Sequence, residues 1–270
     1  MEYRFLPLGN TNLHERLLVM KWYPTPSYLL KRKVIIDELA KTSARTFLEV
    51  GCGAGDLLRS LDRLGYSGMG VEISQDAYLA ARSLDLSSRV SVSMTAVENM
   101  AERFEAVIAS EVMEHWEDDI AFLQLLRARL VENGRLFLTV PAHMRKWGRN
   151  DDVCGHVRRY ERVELLEKLA AAGFDSIEIF SYGVPLYNLM KPLYDRAIEA
   201  DVHGDDPDQE KTKQSGGMRL FTDMSLLFRL LFNDFTMLPF YTLQRLFFHT
   251  DLGNGYFISA RKQSVSAQIY

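Results

Sequence analysis

Two histidines and a glycine-spaced loop flanked by two acidic residues are where this chain could do chemistry. His115 closes the run Glu111-Val112-Met113-Glu114-His115, and His156 stands inside Gly155-His156-Val157-Arg158-Arg159-Tyr160. An imidazole is the usual side chain for accepting a proton near neutral pH. Both are candidate general bases, His156 ahead of His115, with His143 a third. Each has a structural alternative: His115 packs beside Trp116, and His156 organises its loop. The loop is Leu48-Glu49-Val50-Gly51-Cys52-Gly53-Ala54-Gly55-Asp56, between an apolar strand and the start of a helix at Leu57. Glycines at 51, 53 and 55 let the backbone turn tightly and let a ligand approach unobstructed by Cβ atoms. Glu72 ends the next apolar run, Met69 to Ile73, at the distance expected of a carboxylate that accepts hydrogen bonds from ribose hydroxyls.

The glycine pattern is G-x-G-x-G, because Asp56 stands where a dinucleotide fingerprint needs its third glycine. This disfavours a NAD-dependent oxidoreductase. With Glu49 ahead of the first glycine, the segment resembles motif I of the class I S-adenosylmethionine (SAM)-dependent methyltransferases. Glu111 to His115 is similar to a segment of the ubiquinone-biosynthesis O-methyltransferases and of many uncharacterised bacterial relatives. The Gly155 to Tyr160 motif resembles one of those uncharacterised groups. The resemblance runs from about Leu30 to Tyr182, with the last strand added. It implies SAM as cofactor, S-adenosylhomocysteine as product, and a cofactor site of Glu49, Gly51, Cys52, Gly53, Gly55, Glu72, Ile73, Val97, Glu98, Ser110 and Glu111. Ala96 stands where many relatives carry Asp, so adenine contact falls to Glu98 or to the amides of Val97 and Glu98.

The elements that must position these residues alternate. Strands are expected at Thr46–Val50, 69–73, Val90–Met94, Phe104–Ser110, Arg135–Val140, Ser176–Tyr182 and Gly255–Ala260. Helices lie between them, which is the signature of a parallel sheet wound on both faces. The fold class is therefore α/β, a seven-stranded Rossmann-like sheet with a mainly helical insertion between strands 6 and 7. Thr25-Pro26 opens a helix to about Lys41. Ile120, Leu123, Leu126 and Leu130 predict one helical stripe stopped by Asn133-Gly134, and Val163, Leu166 and Leu169 predict another.

The domains read as an N-terminal lid (1–44), a cofactor core (45–183 and 251–263) and an insertion (184–250). The insertion carries a polar stretch, 201–217, and then a Leu- and Phe-rich stretch, 218–248. It would cap an apolar or aromatic acceptor, meet a second copy in a dimer, or touch a membrane surface peripherally. Arg149, Arg159, Tyr160 and Trp22 are the expected substrate contacts; Arg145, Lys146 and Arg158 add positive charge to the same loop, which suits an acidic group unless the loop's own aspartates pair with it. Glu111, Glu114 and His115 would share one face if they began a helix. Acids at a helix start ordinarily serve the dipole, and no metal is expected.

Net charge is −4, which argues against nucleic acid as partner. Two cysteines, one inside the glycine loop, and an N-terminus without a signal-peptide pattern point to a reducing cytoplasm. No apolar run reaches membrane-spanning length. The function expected is methyl transfer to a small or medium-sized acceptor, at oxygen by resemblance, or else SAM binding without turnover. The D/N-P-P-Y/F motif of many N-methyltransferases is absent after the fourth strand, where Ser110-Glu111-Val112-Met113 stands.

Overall fold

The computed structural model describes residues 24–191 and 232–264. Helix α1 (Pro26–Ala40) starts as its sequence dictates, with Thr25 capping the Tyr28 amide and proline in the first turn. The chain then alternates: β1 (Thr46–Val50), α2 (Asp56–Arg63), β2 (Ser67–Val71), α3 (Gln75–Arg82), β3 (Val90–Ser93), β4 (Phe104–Ser110), α4 (Asp119–Ala128) and β5 (Leu130–Pro141). After it come α5 (Arg149–Cys154), α6 (Arg162–Ala171), β6 (Phe174–Tyr182), α7 (Leu238–Gln244) and β7 (Gly255–Lys262).

The seven strands form one sheet in the order β3-β2-β1-β4-β5-β7-β6, parallel except for β7, which runs antiparallel between β5 and β6. Strand order reverses between β1 and β4, so the crevice beyond their carboxyl ends is the natural ligand site. The central strands are apolar on both faces, as helices on both sides require. Phe47, Ile108, Phe137 and Phe257 face α1, α2 and α7, while their neighbours Leu48, Val107, Leu138 and Ile258 face α4 and α6. Fully burying each such side chain is worth about 1.5–3 kcal/mol, so the sheet fixes the position of everything at its ends.

Two helical stripes differ from expectation. α4 stops at Ala128, and Leu130 already pairs with Phe104 as the first residue of β5. Asn133, with φ of 61°, and Gly134 therefore bend an irregular strand rather than ending a helix. A lone buried leucine fits either period, which is why spacing misplaced it. In α6, Leu165 and Leu169 face the core, whereas Val163 is 66% and Leu166 39% exposed. An i, i+4 pair continued by Ala172 sets that face.

Part of the insertion is visible. α7 lies against α1, where Met237 and Tyr241 join the cluster of Leu29 and Leu30. The Gln244 side chain accepts from the Gly183 amide and donates to the Leu30 carbonyl. Trp22, the polar stretch and residues 218–231 lie outside the described residues. Among the described residues no helix is long and apolar enough to cross a membrane.

Candidate functional site

The glycine loop leaves β1 with Gly51, Gly53 and Gly55 all at positive φ. The amides of Gly51 and Cys52 bond the Val71 carbonyl, which staples the loop to the end of β2. A Cβ at Gly51 would meet Val112 Cγ2 at 2.7 Å, and one at Gly55 would meet Leu84 Cδ1 at 2.7 Å. At Gly53 it would meet nothing within 4 Å among the described residues. The open space over Gly53 is a cradle that a side chain would fill.

Two carboxylates frame this cradle. Glu72 accepts from the Gly53 amide at 2.8 Å through Oε2, and from Ile73 and Ser74 at 2.9 Å through Oε1. A carboxylate has about four acceptor sites, so capacity for a ligand hydroxyl remains. Glu49 is buried, and its Oε2 has no hydrogen-bond partner among the described residues. Burial, then the charges of Asp56 and Glu72, push its pKa well up against the pull of Lys31. An orphaned acid under an open cradle is suited to a bound group that brings a donor. Ile73, 76% exposed, leaves an apolar surface beside the loop. Val97 turns its side chain into the core while Glu98 is exposed. Cys52 packs under the loop as a buried free thiol, so it acts there as filling.

At the end of β4, the Ser110 hydroxyl bonds that of Thr139 at 3.0 Å. Glu111 adopts φ of 57°, and Oε1 accepts from the Tyr182 hydroxyl at 2.7 Å and lies 3.6 Å from Lys31 Nζ. Burial drives its pKa up, but Lys31 and Tyr182 outweigh burial and the net displacement is downward. Glu111, Glu114 and His115 do not form a helical face. Residues 113–115 make a single 3-10 turn, and Glu111 points to Lys31 and Tyr182 instead.

The two imidazoles do meet, edge to face, with ring centroids 5.0 Å apart. His156 is locked: Nδ1 bonds Asp151 Oδ1 at 2.8 Å, and the side chain is 8% exposed. Its Nε2 lies 3.8 Å from Oε1 of Glu114, a residue with no exposed surface and, among the described residues, no hydrogen-bond partner for either carboxylate oxygen. Burial and the Glu111 charge push the Glu114 pKa well up. His115 is exposed and directs Nδ1 to the Gly155 carbonyl at 3.2 Å. Trp116, expected beside it, stacks on Phe122. One donor atom each of Glu114, His115 and His156 lies within 4.8 Å of the others.

The motif from Gly155 to Tyr160 is a clamp. Val157 donates its amide to the Glu114 carbonyl, and Arg158 bonds Asp119 and the Glu117 carbonyl. Arg159 is buried, bonding Asp151, the Ala142 carbonyl and Asn254, so its charge is spent inside the loop. Tyr160 is wholly buried with its hydroxyl 3.4 Å from the Met113 carbonyl, which makes it a core residue and removes it from the expected substrate contacts. Lys146 caps the carbonyls of Leu252 and Gly253. Burial first, then Arg145 and Arg159, bring its pKa down to about 8. Arg149 stays exposed. His143 is buried between Glu161 and Tyr256.

Spacing alone missed Tyr28, Lys31 and Arg32, which α1 carries to the crevice. Arg32 bridges Asp56 and Asp234, and Lys31 reaches Glu111. The signal was three consecutive cations, Lys31, Arg32 and Lys33, between apolar residues of one helix, the first two of which are buried. Asp151 was read only as a counter-charge to the loop's arginines. It is wholly buried and holds His156, Arg159 and the Gly148 amide. Burial raises its pKa, but these partners reverse the shift.

Comparison with known proteins agrees with this geometry. Residues 28–179 match the methyltransferase domain family. The chain is 36% identical over 129 residues to the mitochondrial ubiquinone biosynthesis O-methyltransferase of Mus musculus, covering 41% of this chain and 35% of that protein. It is 38% identical over 104 residues to the ubiquinone biosynthesis O-methyltransferase of Bradyrhizobium diazoefficiens, covering 37% and 40%. The matched stretches thus span well under half the length of these relatives. A Galdieria sulphuraria structure assigned to the sarcosine dimethylglycine methyltransferases shares the fold, with a TM-score of 0.59 at 14% identity over 87% of this chain and 86% of that one. With the cradle, the two carboxylates and the family match in agreement, the chain belongs to the methyltransferase domain family.

Proposed function

We propose that the chain methylates a hydroxyl group on a small or medium-sized, largely apolar acceptor. The observation that carries this reading is the imidazole pair at the ends of β4 and of the loop after β5, on the same side of the sheet as the Gly53 cradle. A hydroxyl must lose a proton as it becomes an ether, and an imidazole is suited to take it near neutral pH. The O-methyltransferase relatives support the same choice of atom.

SAM supplies an activated methyl group, so the protein's task is to hold donor and acceptor in line and to exclude water. Such positioning supplies roughly 7–11 kcal/mol of barrier reduction. Glu72 would hold the ribose beside the Gly53 backbone it braces, Ile73 and the turn at Val97 and Glu98 the adenine, and Glu49, Ser110 and Glu111 the amino-acid end. The described end of the insertion bares Phe235, Leu238, Leu243 and Leu246. Such bare apolar side chains suit a cover over an aromatic or lipidic acceptor. Arg149 is exposed in the loop after β5, where it could meet an acidic group of the acceptor, and a cytoplasmic setting fits the two free thiols.

The test is release of S-adenosylhomocysteine with a panel of phenols and catechols of increasing alkyl length, set against matched amines. Turnover that favours hydroxyls and rises with alkyl length is the expected result. SAM binding with no turnover on any member would point instead to a silent SAM-binding partner.

A further inference from the structure

We propose that His115, not His156, is the catalytic base, and that the backbone carbonyl of Gly155 fixes it in the competent tautomer. This rests on the oxygen-methylation reading above and assigns the proton acceptor within it.

A carbonyl oxygen has no proton to give. The 3.2 Å contact between Gly155 O and His115 Nδ1 is therefore a hydrogen bond that Nδ1 donates. In the neutral ring the lone pair then sits on Nε2. The side chain is exposed, so that nitrogen belongs to a group a substrate can reach. Partial desolvation of the ring, seconded by His156, holds its pKa below the usual histidine range despite the opposing pulls of the Gly155 carbonyl and Glu111. The neutral form, the one able to accept a proton, is the resident form near pH 7.

His156 differs on each count. Its Nδ1 is committed to Asp151 and its ring is almost fully buried, with Nε2 directed at the interior carboxyl of Glu114. Neither nitrogen is left free for a substrate hydroxyl in this arrangement. The Gly155-His156 motif acquires a reason on this reading. Gly155 ends α5 in the left-handed region, with φ of 73°, where glycine is favoured. The two amides that follow it, His156 to the Asp151 carbonyl and Val157 to the Glu114 carbonyl, hold the Gly155 carbonyl in place. Buried Asp151 and His156 are positioning residues beneath it.

In the step itself, the acceptor oxygen attacks the methyl carbon of SAM as its proton passes to His115 Nε2. The C–O bond forms, the C–S bond breaks, and its electron pair stays on sulfur. The products are the methyl ether, S-adenosylhomocysteine and a His115 imidazolium, which returns its proton to solvent.

The deciding measurement needs no acceptor. Nitrogen-15 NMR of the full chain at pH 7.5 should show His115 as the Nδ1–H tautomer, identified by loss of its signals in His115→Gln. Diethylpyrocarbonate should modify His115 at least tenfold faster than His156. His115→Gln should still bind SAM by calorimetry and lose at least 100-fold in turnover on the best hydroxyl acceptor of the panel. An Nε2–H tautomer, or faster modification of His156, overturns the assignment. So does turnover abolished by EDTA and restored by magnesium, which would make His115 a metal ligand. Turnover on amines alone overturns the oxygen reading, and the base role falls with it even if the tautomer is as stated.

Discussion

Glu72 and Gly53 are joined directly: the carboxylate at the end of β2 accepts the amide in the middle of the glycine loop at 2.8 Å. The residue proposed to hold the ribose therefore also shapes the cradle. Replacing Glu72 with alanine removes the ribose acceptor and frees the Gly53 amide at once. SAM affinity should fall by about 1.5–3 kcal/mol, the range for hydrogen bonds to a charged group. Titration calorimetry on the folded variant checks this, and unchanged affinity would remove Glu72 from the cofactor site.

The glycines of the loop should separate by phenotype. Each has positive φ, so any side chain costs about 1–2 kcal/mol of backbone strain. At Gly53 that is the main structural cost, because a Cβ there meets nothing within 4 Å among the described residues. Gly53→Ala should fold with a modest loss of stability yet bind SAM at least tenfold more weakly. At Gly55 the Cβ would also press on Ala81 at 3.1 Å and on Leu84. Gly55→Ala should be the less stable of the two in urea titrations. The reverse order would mean that the open space over Gly53 is not a binding cradle.

Local signals carried much of this fold, and long-range ones did not. β4 and the cap of α1 were legible because a continuous apolar run and a Thr-Pro pair are local features. The glycine loop and Glu72 were legible because tight backbone approach requires glycine, and the βαβ unit fixes the distance to the next strand end. Leu130 was misplaced because a single apolar residue fits helix and strand equally. Tyr160 and Arg159 look like site residues by type, and only the way β5, the loop and α6 close on each other shows them to be interior. The pairing of His115 with Gly155 spans forty residues, and no spacing rule reaches that far.

Asp119 should be a stability residue with an effect on the site. Its Oδ2 is 2.9 Å from Arg158 and 2.5 Å from Lys168, and its side chain is nearly buried. Asp119→Ala would leave Arg158 without its carboxylate and Lys168 with Glu164 alone, which costs about 1.5–3 kcal/mol, the range for hydrogen bonds to a charged group. The clamp segment should loosen with it, because Arg158 ties that segment to the start of α4. Hydrogen exchange at the Val157 amide, bonded to the Glu114 carbonyl, would accelerate in the variant beyond the change in global stability. Equal acceleration throughout the chain would show that Asp119 contributes only to overall stability.

Lys31 and Glu111 set a pH dependence whose sign follows from their geometry. Lys31 lies 3.6 Å from a Glu111 carboxylate that burial alone would raise, and with Tyr182 it turns the displacement downward. A carboxylate whose folded pKa is depressed stabilises the fold above its unfolded value, about 4.3, and that contribution is lost as pH falls through the folded pKa. In Lys31→Met the cation is gone, burial weighs more heavily and the folded pKa of Glu111 moves up. Wild type should therefore be more stable than the variant at pH 7, by about 1–3 kcal/mol if the loss matches that of a charged hydrogen bond. The gap should narrow as pH is lowered from about 5 toward 3, because protonated Glu111 no longer distinguishes the two proteins. Urea unfolding at pH 7, 5, 4 and 3 measures it. A gap that stays constant or widens on acidification would show that Lys31 stabilises the chain through something other than the charge on Glu111.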